Sequence, residues 1–225
     1  MAKKRALPPL APRKLPTQER ARRTYAAIIE AGTRILERHG YEALTTNHVA
    51  DLAGVGIASL YEYFPNKHAL VAEIVRHVLE ELLADLGRST QLITTAPPSV
   101  ALETWLGSMY AAVAKRRGVV RVIVEEVPFL WEIPAVDNAR TMLLALARST
   151  RDLGASIGTP PLPDAMIYLL ATMTGAAVLE AVLRPPAKHS PEELIAALAE
   201  IVNRVTGRRG EEPRRRRAVT RDANG

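Results

Sequence analysis

The sequence predicts an all-α protein of about nine helices, with a small N-terminal helix-turn-helix domain followed by a larger helical domain. Apolar residues make up 48% of the 225 residues and aromatic residues only 4%. Alanine and leucine dominate, which favours helix packing over a β-sandwich. Apolar positions recur at helical spacing along most of the chain, and glycine and proline interrupt the pattern where helices would end.

The N-terminal segment is predicted to be a disordered basic arm. Residues 1–16 contain four prolines and five basic residues, and prolines at this density prevent a continuous helix. The first helix then runs from about Thr17 to His39, and Gly40 stops it. Its buried stripe follows helical spacing and comprises Tyr25, Ile28, Ile29, Gly32, Ile35 and Leu36.

Two short helices joined by a tight turn are predicted next. The Thr45 hydroxyl can cap the second helix. Gly54 supplies the turn, because glycine tolerates backbone angles that other residues avoid. The third helix begins near Gly56 and ends at Phe64, where Pro65 prevents its continuation.

Six further helices and a basic tail complete the prediction. The fourth helix is capped by Asn66 and runs to about Leu86; the others cover about 99–117, 119–127, 135–153, 163–183 and 191–206. Within the sixth, Val119–Val124 is the one stretch that could also form a strand. Residues 207–225, which are rich in arginine, are predicted to be disordered.

Positive charge is concentrated at the two ends of the chain. Residues 1–70 carry a net charge of +5 (11 basic, 6 acidic), residues 71–206 a net of −3 (12 and 15), and residues 207–225 a net of +4 (7 and 3). A basic head on a slightly acidic body is typical of a protein that binds a polyanion such as DNA. The alternative is that the basic termini are solubilising tails.

Several classes of protein are disfavoured by composition. The chain has no cysteine, which removes disulfides and thiol catalysis and suits a reducing cytosol. Residues 1–16 lack the apolar core of a signal peptide. The uncharged run 165–179 is shorter than the roughly 20 apolar residues of a membrane span. We therefore expect a cytoplasmic, nucleoid-associated protein without a membrane partner.

Residues 45–67 have the pattern of a helix-turn-helix whose second helix enters the major groove of DNA. The small residues Ala50, Ala53 and Ala58 suit the close crossing of the two helices. Ile57 can contact a thymine methyl group. Tyrosine hydroxyls and a lysine at the start of the fourth helix can contact phosphates.

The order of motifs resembles the tetracycline-repressor (TetR) family. From about Arg20 to Ile74 the chain carries paired aliphatics, then G-Y-x-A-L-T-T-x-x-V-A, A-G-V and L-Y-x-Y-F-x-N-K. The resemblance implies an all-helical homodimer. It implies a DNA-binding domain at residues 17–68 and an effector-binding and dimerisation domain at residues 69–206. Gly56 departs from the pattern, since the family usually has a hydroxyl cap there.

The residues and the resemblance together give a set of DNA-binding candidates. In the family, the residues that match Thr45, Tyr61 and Lys67 contact the DNA backbone. Tyr63 suits packing as well as a phosphate contact, and His48 suits a solvated surface position. The full set is Thr45, Thr46, His48, Gly56, Ile57, Ser59, Tyr61, Tyr63 and Lys67.

The last two helices are expected to form the homodimer interface. The helix at about 163–183 is apolar nearly all round, and the helix at 191–206 carries a regular apolar stripe, so both need to be buried on several sides. Pairing with symmetry mates would give a four-helix bundle. The alternative is that they close the core of one protomer.

A small-molecule effector is expected to bind among the fourth to eighth helices. Bulky, adaptable side chains are typical of such pockets. An acidic side chain could meet a cationic group, but a solvated acidic pair at Glu125 and Glu126 is the interpretation that the sequence favours. The candidates are Trp105, Met109, Glu125, Phe129, Trp131, Met142 and Tyr168.

Three functions were weighed from the sequence. The favoured one is a ligand-responsive transcriptional repressor that binds a palindromic operator as a dimer and is released by its effector. An enzyme is disfavoured, because the chain has no HExxH, GxSxG, P-loop or GxGxxG motif. His77 with Glu73 is a histidine–carboxylate pair at i, i+4 spacing that could suggest a site, but such a pair is usually a surface contact. No metal or cofactor is expected. The third is an architectural DNA-binding protein without an effector.

Overall fold

The fold is all-α, as predicted. A computed structural model describes residues 7–93, 98–156 and 162–206, and within them the chain forms nine α-helices and a single 3₁₀ turn, with no strand. The stretch Val119–Val124 is helical. Its buried residues are Val119, Val120, Val122 and Ile123, and this i, i+1, i+3, i+4 spacing is that of a helix face rather than a strand.

The helices fall into a head and a body. The head contains α1 (Glu19–Ala43), α2 (Thr46–Ala53) and α3 (Ile57–Tyr63). The body follows with α4 (Lys67–Ile93), α5 (Pro98–Ala114), α6 (Arg117–Glu126), the 3₁₀ turn Leu130–Glu132, α7 (Pro134–Ser156), α8 (Asp164–Leu183) and α9 (Pro191–Val205). The largest difference from the predicted boundaries is in α4, which continues to Ile93.

One hydrophobic core joins the head to the first half of α4. Ile28 and Leu36 of α1, Leu60 of α3 and Ile74 of α4 are all completely buried in it. Gly32 permits this close approach, since a Cβ there would lie 2.6 Å from Cδ1 of Ile74. A second, smaller cluster joins α5, α8 and α9 through Leu106, Met109, Val178 and Ala199.

Gly40 breaks α1 and links the head to α6. Its φ of 82° and ψ of 176° are not helical, so the regular helix stops there as predicted and Tyr41–Ala43 form a final turn. The Tyr41 N–H donates to a Glu126 carboxylate oxygen at 2.9 Å. A Cβ on Gly40 would lie 2.5 Å from that same oxygen.

The N-terminal arm differs from the expectation of disorder over residues 7–16. Leu10 packs against the main core, and the Arg13 N–H donates to the Tyr63 carbonyl at 2.7 Å. Prolines exclude a helix but not an extended segment that packs on a neighbouring surface. Residues 1–6, with Lys3, Lys4 and Arg5, and residues 207–225 lie outside the described residues.

Helix α8 is apolar on all sides, and one of its faces is exposed. Met166, Leu169 and Met173 are 38%, 54% and 65% exposed. By length and hydropathy alone α8 could also cross a membrane, and 28% of its most apolar window is buried. An exposed apolar face of this kind marks a surface that another surface covers.

The conformation of Gly40 predicts a stability cost on substitution. Gly40→Ala should lower the free energy of unfolding by about 2 kcal/mol, because the backbone angles are almost exclusive to glycine and the new Cβ would collide with Glu126. Urea unfolding measures the change. The control is Gly107→Ala in α5, where a Cβ meets no atom within 4 Å; it should be neutral or stabilising by up to about 1 kcal/mol. Equal losses in both variants would contradict this role for Gly40.

Candidate nucleic-acid interface

The turn between α2 and α3 has the local structure that the sequence predicts. The Thr45 hydroxyl accepts a hydrogen bond from the His48 N–H at 3.2 Å and so caps α2. Gly54 lies in the left-handed region with φ of 67°. The Val55 N–H donates to the Ala50 carbonyl at 3.0 Å. These contacts satisfy both ends of a short helix and fix the direction of the next one.

Helix α3 presents one face to solvent. Leu60 and Tyr63 are buried. The exposed residues are Ile57, Ala58, Tyr61 and Glu62, and their spacing places them on one side of the helix. This face is the candidate reading face for DNA bases.

Two neighbouring residues of α3 exchange the roles expected of them. Ala58, expected at the contact between helices, is exposed, whereas Ser59, expected in the groove, is half-buried beside Arg20 and Thr24 of α1. The helical period counted from Leu60 predicts these positions, because Ala58 falls on the side of α3 opposite the buried Leu60 and Ser59 falls nearer to it. Ala58 is therefore a candidate for base contact that sequence reasoning missed.

The tyrosines of α3 occupy different environments. The Tyr61 hydroxyl lies 3.1 Å from the Thr46 hydroxyl on the surface, so the two groups form one polar site across the turn. Tyr63 is 6% exposed and packs edge-on against Tyr25 at 5.3 Å between ring centroids. Of the two alternatives for Tyr63, its position matches packing.

Lys67 is held at the edge of the head by a residue that sequence reasoning missed. Its ammonium group lies 4.0 Å from the ring centroid of Tyr41 and 3.4 Å from the Glu42 carbonyl oxygen. Burial lowers the pKa of Lys67, and the charge of Glu42 opposes this shift. Tyr41, which follows Gly40 in the G-Y motif, was the available signal in the sequence.

The remaining head candidates have simple surroundings. His48 is exposed, and its ring centroid lies 6.1 Å from that of His39. Gly56 precedes α3 and provides no side-chain cap, in agreement with the departure from the family pattern. The Asn66 side chain caps α4 by accepting from the Ala69 N–H at 2.8 Å.

A buried polar network supports α3 from behind. Glu73 of α4 is 4% exposed and accepts a hydrogen bond from the Tyr25 hydroxyl at 2.6 Å and two from the Arg76 guanidinium at 2.6 and 2.8 Å. Burial acts to raise the pKa of Glu73, but the hydrogen bonds from Arg76 and Tyr25 outweigh it and lower the pKa. His77, suggested as a partner of Glu73, instead lies 3.5 Å from Glu81.

The structure does not gather the effector candidates into one site. Trp105 and Met109 lie together in the second core cluster. Phe129 is buried between the head and the body, 6.1 Å from the ring of Tyr41 and 4.9 Å from that of His68.

The other four candidates lie apart from these. Trp131 is 78% exposed and Met142 is also exposed. Glu125 pairs with Arg184 at 2.9 Å, and Tyr168 hydrogen-bonds Arg140. Sequence alone could not separate core aromatics from ligand contacts, because both need bulky side chains at helical spacing.

A comparison with known families identifies the head. Residues 28–74 match the family model for bacterial regulatory proteins, tetR family. The matched residues run from the core of α1 through α2 and α3 to the shared half of α4. The head therefore carries a DNA-binding domain of the TetR family.

Curated relatives of the chain are transcriptional regulators. The HTH-type transcriptional repressor KstR2 of Mycolicibacterium smegmatis is 28% identical over 127 residues, which cover 56% of this chain and 60% of that protein. The HTH-type transcriptional repressor KstR of Mycobacterium tuberculosis is 31% identical over 88 residues, 39% of each chain. The matched region thus covers at most 60% of the length of either relative.

Solved TetR-like structures share the whole fold. A transcriptional regulator from Pseudomonas aeruginosa PAO1 superposes with a TM-score of 0.66 over 85% of this chain and 93% of the other, at 20% identity. The ketosteroid transcriptional regulator KstR2 of Mycobacterium tuberculosis gives a TM-score of 0.55 over 88% and 98%, also at 20% identity. At this identity the likeness establishes the fold of head and body together.

The Glu73 network predicts a pH-dependent contribution to stability. Glu73→Gln should lower the free energy of unfolding at pH 7 by about 1.5–3 kcal/mol, the range for hydrogen bonds to charged groups. Because the folded pKa lies below the ordinary value of 4.5, the contribution is complete above that pH. It is lost as the pH falls through the folded pKa. Urea unfolding between pH 7 and 3 should show the difference between wild type and variant narrowing with acid.

The matched control is Glu80→Gln on the same helix. Glu80 also pairs with Arg76, but its side chain is 57% exposed, so its loss should cost less than about 1 kcal/mol. A difference for Glu73→Gln that stays constant down to pH 3 would contradict the lowered pKa.

Proposed function

We propose that the protein is a transcriptional repressor that binds a palindromic operator as a homodimer and is released from DNA by a small-molecule effector. The observation that carries the proposal is the exposed face of α3. It offers apolar side chains for bases, with hydroxyls at one edge and an ammonium group nearby for phosphates. This combination fits the major groove of DNA.

Two classes of contact are proposed at each half-site. Ile57 and Ala58 would contact thymine methyl groups, since both are apolar, exposed and near the start of α3. Thr46, Tyr61 and Lys67 would contact phosphates. Thr45, His48 and Gly56 would border the DNA backbone, while Ser59 and Tyr63 would act by holding α3 in place.

The proposed homodimer uses the exposed faces of α8 and α9. Leu169 and Met173 on α8 are joined by Ile201 and Val205 on α9, and all four are exposed in one protomer. Burying such a face against its symmetry mate is the usual outcome for an apolar helix pair. A membrane surface is the competing cover for α8, and the dimer predicts a protein that stays soluble once paired.

The proposed effector site lies in the body. Trp105 and Met109 are the candidates that share one cluster, which joins α5 to α8 and α9, the two helices of the proposed dimer interface. An effector that binds more tightly to the arrangement that does not fit DNA would lower operator affinity by linkage. Such an effector should both raise the melting temperature of the protein and release it from its operator.

Selection of binding sites from random duplex DNA tests the proposal. A repressor should enrich a palindrome with half-sites about one helical turn apart, roughly 34–36 Å. It should hold that site against excess random DNA at physiological salt. An architectural protein would enrich no site and would lose all binding steeply with salt.

Lys67 predicts a uniform loss of DNA affinity. Lys67→Ala should weaken binding to the selected operator and to random duplex alike, by about tenfold, and should lower the salt slope by about two per dimer. Fluorescence polarisation across a salt series measures both. Lys188→Ala, which removes an exposed lysine before α9, is the control and should change neither. An unchanged slope for Lys67→Ala would remove Lys67 from the phosphate contacts.

A charge at Met173, the more exposed of the two methionines of α8, is expected to break the dimer. Met173→Glu should place a charge in the interface, yield a monomer by sedimentation, and lower operator affinity by at least tenfold because two half-sites no longer bind together. Met142→Glu, the same change at an exposed position of α7, should remain dimeric. A dimeric Met173→Glu variant would place the interface elsewhere.

A further inference from the structure

We propose that residues 7–16 are a strap that fixes the orientation of α3, and that Arg13 is a positioning residue for operator recognition. This inference rests on the proposed function, in which α3 reads DNA. It assigns the arm a role within the protein rather than a direct contact with phosphate.

The first argument is that α3 lacks donors at its C-terminal end. In an α-helix the Tyr61 carbonyl would accept from the residue four positions on, but that residue is Pro65, which has no N–H. The Arg13 guanidinium donates to the Tyr61 carbonyl at 3.1 Å. The Arg13 N–H donates to the Tyr63 carbonyl at 2.7 Å. One arm residue therefore donates hydrogen bonds to two carbonyls at the end of α3.

The second argument is that the arm is anchored on both sides of Arg13. The Pro9 carbonyl accepts from the Asn66 side-chain amide at 3.2 Å, and Asn66 also caps α4. The Lys14 ammonium lies 2.7 Å from the Glu62 carboxylate and 5.3 Å from the ring centroid of Tyr63. The arm thus bridges the end of α3 and the start of α4.

The third argument concerns charge. Glu62 is the one acidic residue of α3, and it is exposed on the candidate reading face. An unpaired carboxylate there would repel the phosphates of a bound duplex. Lys14 neutralises it from the arm, and Glu62 in turn raises the pKa of Lys14. Both basic residues of this segment are thus engaged with α3.

A positioning residue and a phosphate contact have different signatures in DNA binding. Specific binding requires α3 in one orientation, whereas binding to random duplex depends on charge alone. Arg13→Ala should weaken operator binding by about fivefold per half-site, the loss expected for one net hydrogen bond. Binding to random duplex and the salt slope should stay as in the wild type. Arg13→Gln, which keeps a donor without the charge, should recover part of the operator affinity.

The comparison uses the full chain, with Lys67→Ala as the example of a phosphate contact and Lys188→Ala, before α9, as the neutral control. A fall in both affinities with a lower salt slope for Arg13→Ala would make Arg13 a phosphate contact and overturn the strap. Unchanged operator affinity would also overturn it. If Arg13→Ala does not fold, Arg13→Gln carries the same comparison.

Amide hydrogen exchange without DNA separates this inference from the proposed function. The Phe64 N–H donates to the Leu60 carbonyl at 2.9 Å and closes the last turn of α3. In Arg13→Ala this amide should exchange several-fold faster, because the helix end opens more often. Equal exchange rates would overturn the strap whether or not the wild-type protein selects an operator. A wild-type protein that selects no operator would instead refute the proposed function.

Discussion

The rest of the head is organised around α3, a helix that is too short to be stable by itself. Helix α3 has seven residues, of which two are buried, and it begins without a side-chain cap. Isolated helices of this length are unstable in water. Its orientation therefore comes from outside: from the Gly54 turn, from the ring of Tyr25 against Tyr63 and Phe64, and from the arm. The Glu73 network in turn holds Tyr25, so a carboxylate on α4 contributes indirectly to the position of α3.

Packing and hydrogen bonds at α1 and α4 also join the head to the body. Phe129, which follows α6, is buried against Tyr41 of α1 and His68 of α4. Burial, reinforced by the charge of Lys67, lowers the pKa of His68, so neutral imidazole is favoured in this contact. Glu126 at the end of α6 accepts from the Tyr41 N–H. The body thus contacts Tyr41, the residue of the head that holds Lys67.

The sequence predicts those parts of the structure that depend on local patterns. The helix count, the Thr45 cap and the Gly54 turn each follow from one residue type at one spacing. The arm could not be predicted as a strap, since its anchors pair Arg13 and Lys14 with residues about fifty positions away, and no periodicity links them. The positions of Ala58 and Ser59 do follow from the helical period counted from Leu60, which is buried. The small size of the two side chains does not by itself show which of them faces solvent. Phe129 looked like a ligand contact because an aromatic at a domain junction and one in a pocket have the same sequence environment.

These contacts restrict how an effector in the body could act on DNA binding. Its signal cannot easily reshape α3, because α3 is held by the arm, α1 and the start of α4, all within a core whose largest members are fully buried. Packed cores move as units rather than deform continuously. The first half of α4 belongs to that core, while its second half packs in the body. A shift of α4 or α6 would therefore carry α3, Tyr41 and Lys67 together, and in the proposed dimer it would change the spacing of two reading faces rather than the shape of either.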